Sequence, residues 1–305
     1  MTPALSAAIC SFRRYELLEG AIASLAAQSI PVELLVVDNS PGAPGSAEAR
    51  ARHAGAVRWI EEPAAGLSRA RNAALAAASA PVLAYLDDDA RAAPGWAEGF
   101  LRGFALLGEG AACVGGRVRL RFTGPRPSWL DWRFEAYLSA LDLGEETRLL
   151  APGEWVAGAS VAYRAAALRA IGGFSAALGR SGAASLLSND ETEASARLAA
   201  RGLSTGYTPL AEAEHLVDPS RLSQAWFRRR AAWQAVSDLI AGEPKRDPAQ
   251  SWQAVKDFLL TVNPAGRTLR ALVADAPDAD SFHAQLGAVH DVVAALLAEA
   301  RDRDG

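Results

Sequence analysis

The stretch that most constrains the fold is residues 81–89, where a short apolar run ends in three consecutive aspartates. Residues 82–86 are apolar without polar alternation, which predicts a strand buried on both faces of a parallel sheet. The aspartates then lie at its carboxyl end, where open α/β sheets bind ligands. Because adjacent carboxylates repel one another, we expect a divalent cation such as Mg²⁺ or Mn²⁺, held with a substrate phosphate, to balance them. The alternative is that they open the next helix, whose N-terminus would favour acidic residues.

Composition excludes several classes of protein. The 305 residues can form one large domain or two smaller ones, and the net charge of −4, without a basic block, predicts no nucleic-acid partner. Neither a charged leader nor a run of about 18 apolar residues occurs, so we expect no signal peptide and no transmembrane segment. Cys10 and Cys113 lie in apolar segments without metal spacing, which indicates buried thiols in a reducing, cytoplasmic environment.

The first 90 residues alternate between strand-like and helix-like patterns. A strand over residues 4–10, a helix over 15–28 and a strand over 32–37 predict a right-handed βαβ unit. The second strand ends at Asp38, and residues 66–72 lead an alanine-rich helix towards the aspartate strand. Because parallel strands share one ligand-binding edge, these segments predict a site for a nucleotide-like ligand: carboxylates for a base, ribose or metal, and arginines for phosphate.

Residues 123–153 form a long excursion rich in proline, glycine and tryptophan. Loops of this length are commonly lids or recognition elements. Trp129, Trp132 and Trp155 could stack on a sugar, and half-exposed structural tryptophans are the equal alternative.

Acidic residues recur after the small, polar loop 179–188, at Asp190 and Glu191. A helix N-terminus by itself would explain them, because it stabilises negative charge by about 0.3–1 kcal/mol. His215 is a lone histidine, and such residues are more often packed in the protein than bound to a metal. It becomes a candidate metal ligand if the fold brings it to the aspartates. Further on, the spacing predicts a helix over 220–240, and two or three helices from residue 251 suited to packing or to oligomer contact.

Five segments in this order resemble the family-2 inverting glycosyltransferases with a GT-A fold, over about residues 4–235. They are AICSFRR, VELLVVDNS, GLSRARNAAL, AYLDDDARAAPGW and NDETEASARLAARG. The resemblance implies an α/β, Rossmann-like, mostly parallel sheet flanked by helices, with a helical C-terminal extension. It also implies a glycosyltransferase domain over 1–240, with a nucleotide-binding half (1–110) and an acceptor-binding half (111–240), followed by the extension at 241–305.

The resemblance assigns roles to particular residues. Contacts to the donor nucleotide are implied for Ser11, Arg13, Asp38, Arg69, Arg71, Asp87 and Asp88. A divalent Mg or Mn ion would be bound by Asp89, Asp87 and His215. Arg13 stands where the family typically has asparagine. By register the catalytic base is Glu191, and Asp190 is kept beside it because the pair is inverted relative to the family's Glu-Asp.

The implied activity is metal-dependent, inverting transfer of a sugar, of the hexosyl type, from a nucleotide-diphosphate donor of UDP or dTDP type. The acceptor hydroxyl would belong to a glycan, a lipid-linked molecule or a small molecule, in polysaccharide, glycolipid or glycoconjugate synthesis. We expect a cytoplasmic protein, either free or peripheral at the inner face of the membrane. Whether it forms a homo-oligomer is left open by the sequence. Two alternatives stand: a non-catalytic binding protein on a decayed scaffold, and a sugar nucleotidyltransferase, against which the glycine-free loop 11–14 argues.

Overall fold

The computed structural model describes residues 3–182, 185–242, 247–262 and 268–304. The chain divides into two compact units, which we call the sheet unit and the helical unit. The sheet unit comprises Met1–Arg121, Ser139–Ala183 and Asp190–Leu216, and the helical unit comprises Phe122–Leu138, Ala184–Asn189 and Val217–Gly305. The predicted domain boundary at residue 240 stays a prediction.

Up to residue 86 the sheet unit alternates strands and helices, as the sequence predicts. Its strands are β1 (Leu5–Ser11), β2 (Val32–Asp38), β3 (Arg58–Glu61), β4 (Val82–Leu86), β5 (Ala90–Ala92), β6 (Ala111–Phe122), β7 (Arg148–Leu149), β8 (Ser160–Arg164) and β9 (Ser204–Val217). Its helices are α1 (Tyr15–Ala26), α2 (Ser46–Arg52), α3 (Leu67–Ala77), α4 (Trp96–Leu107), α5 (Ala165–Ala170) and α6 (Asp190–Ala199). The last residues of β6 and β9 fall in the helical unit.

The strands form one sheet in the order β3-β2-β1-β4-β8-β6-β9-β5, with β7 beside β9. The first four are parallel and joined through helices, whereas β8 is antiparallel to both β4 and β6, so that β6 runs in the direction of β4. In the parallel part, Ser11 is paired with Asp38, and Asp38 with Glu61. The predicted mixed α/β fold is confirmed, and its parallel strands end at one edge.

Burial on both faces explains the unbroken apolar runs. All five residues of β4 are buried. One face of the sheet packs against Leu18 and Ile22 of α1 and Phe100 of α4, and the other packs against Ala70 and Ala74 of α3. A strand covered on both sides has no solvent-facing positions, so its sequence shows no polar alternation.

The residues after the aspartates form a strand, not a helix. β5 follows Asp89 directly and pairs antiparallel with β9, while α4 begins only at Trp96, after Gly95 in the left-handed conformation at φ 82°. The alternative that the aspartates open the next helix is therefore wrong. They form the link between two strands of the sheet.

The two cysteines are free thiols, with Cys113 buried and Cys10 half-buried. Desolvation by burial raises the pKa of each to about 12. Both are therefore inert at neutral pH, because only the thiolate is a good nucleophile or metal ligand.

The helical unit contains the predicted C-terminal helices. They are α7 (Gln224–Ala241), α8 (Pro248–Thr261) and α9 (Ala279–Asp304), with short 3-10 helices at Trp132–Leu138, Pro219–Arg221 and Leu269–Leu272. Helix α9 packs against both α7 and α8. No helix within the described ranges combines the length and apolar character needed to cross a membrane.

Trp129 belongs to an aromatic cluster in the core of the helical unit. Its ring lies edge-on to Phe134, Phe227 and Phe282, with centroids 5.9, 5.4 and 5.0 Å away. Such pairs stabilise a core beyond the area they bury. This packing favours the structural alternative for Trp129, whereas the side chain of Trp132 is 78% exposed. The predicted loop 179–188 contains residues 183 and 184, which lie outside the described residues.

Candidate active site

Three metal-ligating side chains meet at the carboxyl end of β4. Asp87, Asp89 and His215 each offer one ligand atom, and these atoms all lie within 4.8 Å of one another. The strand pairing explains the meeting, because Ala90 of β5 is the register partner of His215 in β9. The fold thus brings His215 to the aspartates, which is the condition for treating it as a candidate metal ligand.

The chemistry of this cluster fits a divalent cation. Two carboxylates suit Mg²⁺ or Mn²⁺, and an imidazole is accepted more readily by Mn²⁺. The Nδ1 atom of His215 is buried and has no hydrogen-bond partner among the described residues. Asp87 keeps 33% of its side chain exposed, whereas Asp89 and His215 are buried. A ligand would therefore approach the cluster from the side of Asp87.

Arg14 is a site residue that the sequence analysis did not single out. Its Nη1 atom lies 3.0 Å from Oδ1 of Asp88, and its Nη2 atom donates to Oδ2 of Asp89. Burial raises the pKa of the Asp88 carboxyl to about 7, against the lowering effect of Arg14. The neighbouring Arg13 has φ 56° and is exposed, with its guanidinium 5.3 Å from the ring of Phe12. That left-handed turn separates the directions of the two arginines.

Asp38 ends β2, as predicted, and its carboxylate is fully buried. It accepts hydrogen bonds from the hydroxyl of Tyr15 at 2.8 Å, the backbone N–H of Ser40 at 3.0 Å and the hydroxyl of Ser46 at 2.6 Å. These bonds tie β2 to the segments around it. The predicted contact between Asp38 and the donor's base stays a prediction.

Asn39 is a second residue that the sequence interpretation passed over. Its amide donates to the backbone carbonyls of Glu62 and Ala64 at 2.8 and 2.9 Å, and its carbonyl accepts from Gly66 N–H at 2.7 Å. It thereby fixes the loop that leads into α3. Ser11, another predicted site residue, donates from its hydroxyl to Asp88 at 2.9 Å.

Arg71 joins the acidic pair of α6 to the metal-ligating cluster. Its Nη1 atom donates to Oδ2 of Asp190 at 2.5 Å and lies 3.6 Å from Oε2 of Glu191. Its Nη2 atom donates to the carbonyl of Gly158 at 3.0 Å and lies 3.9 Å from Oδ1 of Asp87. One guanidinium therefore lies next to both sets of carboxylates.

The two acids of the pair have opposite electrostatic environments. Burial is the largest single influence on Asp190 and would raise its pKa, but the charge of Arg71 and the hydrogen bonds from Arg71, Glu191 and the backbone together lower that pKa. Burial raises the pKa of Glu191 to about 8, and the Asp190 carboxylate acts in the same direction. Asp190 is thus ionised at neutral pH, while Glu191 exchanges a proton there.

Most of the predicted site residues come together, and three do not: Asp38 has separate hydrogen bonds to Tyr15, Ser40 and Ser46, and the other two are Arg13 and Arg69. Ser11, Arg71, the three aspartates of residues 87–89, Asp190, Glu191 and His215 are linked by the contacts above. Arg13 and Arg69 are exposed, and within the described ranges neither forms an ion pair.

Comparison with known proteins identifies the family. The sequence profile described as Glycosyl transferase family 2 matches residues 6–171, which is more than half of the chain. The chain belongs to this family. The matched part of this family-2 protein contains the aspartate trio and Arg71, whereas Asp190, Glu191 and His215 follow it. A search of curated proteins found no matching sequence.

The family-2 chain also has a structural neighbour. It resembles the mannosyltransferase PcManGT from Pyrobaculum calidifontis, solved in complex with GDP-Man and Mn²⁺, with a TM-score of 0.61 and 16% identity. The alignment covers 99% of this chain and 88% of that chain. At that identity the likeness establishes the fold, and the resemblance predicted from the sequence is confirmed.

Proposed function

We propose that this family-2 glycosyltransferase is metal-dependent and inverting, and that it transfers a hexosyl group from a nucleoside-diphosphate sugar to an acceptor hydroxyl. The position of Arg71 carries the proposal. Its guanidinium lies 3.9 Å from Asp87 in the metal-ligating cluster and 2.5 Å from Asp190 beside the candidate base. The groups needed for the leaving diphosphate and for the attacking hydroxyl therefore adjoin one another.

The diphosphate accumulates negative charge as the glycosidic bond breaks. Asp87, Asp89 and His215 would hold a Mg or Mn ion, which when bound offsets that charge and orients the phosphates. Arg14 lies against Asp88 and Asp89 and keeps 33% of its side chain exposed, so its guanidinium adds positive charge on the accessible side.

Glu191 is the better of the two candidate bases. The side chain of Asp190 is 2% exposed and one of its oxygens is bound to Arg71, whereas the side chain of Glu191 is 16% exposed. Its pKa of about 8 suits a group that accepts a proton near neutral pH. Because this base comes from α6 and the metal ligands follow β4 or lie in β9, we assign it to the sugar face opposite the leaving group. That arrangement gives a single displacement with inversion.

The donor is proposed to carry UDP or dTDP, with Asp38 accepting an N–H of the base. The structural neighbour was solved with GDP-Man, which makes guanosine donors the competing class. The acceptor is proposed to be a glycan, a lipid-linked molecule or a small molecule, and the protein to act in the cytoplasm, free or peripheral at the inner membrane face. A homo-oligomer formed through the C-terminal helices belongs to the same proposal.

A thermal-shift panel tests this function. Wild-type protein is mixed with UDP-, dTDP- and GDP-sugars, with and without Mn²⁺, because a ligand at 100 times its Kd stabilises the folded state by about 2.7 kcal/mol. We expect one nucleotide class to raise the Tm in a Mn²⁺-dependent way, and to be hydrolysed or transferred. Asp89→Ala should lose both the Mn²⁺-dependent rise in Tm and the turnover. The control is Glu61→Gln, which removes an exposed carboxylate at the end of β3 and should keep both. Binding without turnover across a broad acceptor panel would instead favour the decayed scaffold.

A further inference from the structure

We infer that Arg71, to which the family resemblance assigns a donor contact, is a positioning residue for the acidic pair Asp190–Glu191. The inference rests on the proposed function, since it concerns the base of that reaction. It comes from the surroundings of the guanidinium and from the glycine that separates it from Glu191.

The guanidinium of Arg71 is enclosed by protein. Its side chain is 3% exposed and lies over the rings of Tyr85 and Phe174, at 5.7 and 5.5 Å from their centroids. The hydroxyl of Tyr85 also donates to the backbone carbonyl of Arg71 at 2.9 Å. An arginine that binds phosphate must present its N–H fork to the ligand. Here the ring contacts hold the fork inside the sheet unit.

The N–H groups of Arg71 are directed at protein oxygens. Nη1 donates to Asp190 at 2.5 Å and Nη2 donates to the carbonyl of Gly158 at 3.0 Å. The backbone N–H of Gly158 donates in turn to Oε1 of Glu191 at 3.0 Å. Arg71 and Glu191 are therefore bound to the carbonyl and the N–H of one residue, which fixes the carboxylate of Glu191 relative to the guanidinium.

Gly158 is required for this arrangement because a side chain would enter it. A Cβ atom at this position would lie 2.4 Å from Nη2 of Arg71 and 2.9 Å from Oε1 of Glu191. Distances this short displace one group or the other. The arginine thus compensates the buried charge of Asp190 and, through Gly158, keeps Glu191 in place.

The two roles of Arg71 predict different kinetic losses. If Arg71 bound the phosphates of the donor, removal of its guanidinium would weaken donor binding and raise both Kd and KM. A positioning residue would leave binding intact and lower kcat, because Glu191 no longer meets the acceptor hydroxyl correctly. We expect Arg71→Gln to lower kcat by about 10²–10⁴-fold, the usual contribution of a general base, with an unchanged Kd for the nucleoside diphosphate. Arg71→Lys should recover part of kcat, because it restores the charge near Asp190.

The experiment measures kcat and KM, together with the Kd of UDP, dTDP and GDP in the presence of Mn²⁺ by calorimetry. The control is Arg50→Gln, an exposed arginine paired with Glu61, which should match wild type. A rise of about tenfold or more in the Kd of the nucleotide would overturn the inference. A wild-type kcat in Arg71→Gln would overturn it as well.

A second variant covers the case in which Arg71→Gln does not fold, because it leaves the charge of Asp190 buried without its partner. Arg71→Gln combined with Asp190→Asn removes both charges. This double variant should bind the nucleoside diphosphate like wild type and turn over slowly, and loss of nucleotide binding in the folded variant would overturn the inference. A wild-type protein without turnover would refute the proposed function separately, and the Kd comparison would still decide whether Arg71 binds phosphate.

Discussion

The Nε2 atom of His215 lies 3.1 Å from Oδ1 of Asp89. Backbone pairing produces this contact: β5 begins directly after Asp89 and Ala90 is in register with His215, while Leu216 N–H donates to the carbonyl of Asp89 at 2.8 Å. Because side chains alternate along a strand, a slip of one residue would turn the imidazole to the opposite face of the sheet. The register of β9 therefore determines whether this histidine can be a metal ligand.

Removal of either residue should weaken metal binding. We expect His215→Ala and Asp89→Ala each to lower the affinity for Mn²⁺ by at least the roughly 10–100-fold loss seen when groups supporting a metal ligand are removed. Electron paramagnetic resonance titration of free Mn²⁺ measures this without any turnover. Glu61→Gln is the matched control, and equal affinities in all four proteins would contradict the assignment of the cluster.

The two acids of α6 should differ in their effect on catalysis. We expect Glu191→Gln to lower kcat by about 10²–10⁴-fold while the donor's Kd is retained, because only the proton acceptor is lost. Asp190→Asn should have a smaller effect on kcat and a larger one on stability, since it leaves the buried Arg71 without its closest carboxylate. Steady-state kinetics and urea unfolding measure the two quantities. The assignment of the base fails if Asp190→Asn abolishes turnover and Glu191→Gln does not.

Activity should rise with pH towards about 8. Below the pKa of about 8, Glu191 holds a proton in the free protein and cannot accept one from the acceptor hydroxyl. We expect kcat/KM to increase by about tenfold per pH unit on the acid side and to level off above that pKa. The profile is measured with wild type and Glu191→Gln, and an identical pH dependence in both proteins would refute the prediction.

The same group should make the folded state less stable at higher pH. Between about 4.5 and about 8 the folded protein keeps the proton of Glu191 while the unfolded chain has lost it. The free energy of unfolding therefore falls as pH rises through this window, and the contribution is fully present only below pH 4.5. Asp190 has a lowered pKa, so its contribution to the free energy of unfolding is lost as pH falls, at lower pH values than the window of Glu191. Urea unfolding at several pH values should give a smaller decrease in Glu191→Gln than in wild type.

Gly99 of α4 should not tolerate a side chain. A Cβ atom there would lie 2.1 Å from the backbone carbonyl oxygen of Leu210 in β9, so helix and sheet would have to separate. We expect Gly99→Ala to destabilise the protein by about 1–3 kcal/mol in urea unfolding, the usual cost of overpacking. Gly110→Ala is the control, because no heavy atom lies within 4 Å of its added Cβ, and it should change the free energy of unfolding by no more than about 0.5 kcal/mol. Equal losses in both variants would be the contrary result.

The sequence by itself determined the elements and the edge at which they end. The apolar run of residues 82–86 is β4 with the same bounds, and Asp38 ends β2 as the turn signal indicates. These features are local, because burial on both faces selects apolar residues and a turn selects polar ones. The order of the motifs was also sufficient to indicate the family.

The tertiary structure decided which polar groups meet. The sequence does not distinguish the neighbouring residues Arg13 and Arg14. In the structure the backbone at Arg13 is left-handed, and Arg14 is the arginine that contacts the aspartates. Arg71 is separated from Asp190 by 119 positions, yet their side chains are 2.5 Å apart. Side-chain pairing across such distances depends on strand register and on helix packing, which no local pattern encodes. The protonation of Glu191 depends in turn on those neighbours, since burial and an adjacent charge shift its pKa only once the chain has folded.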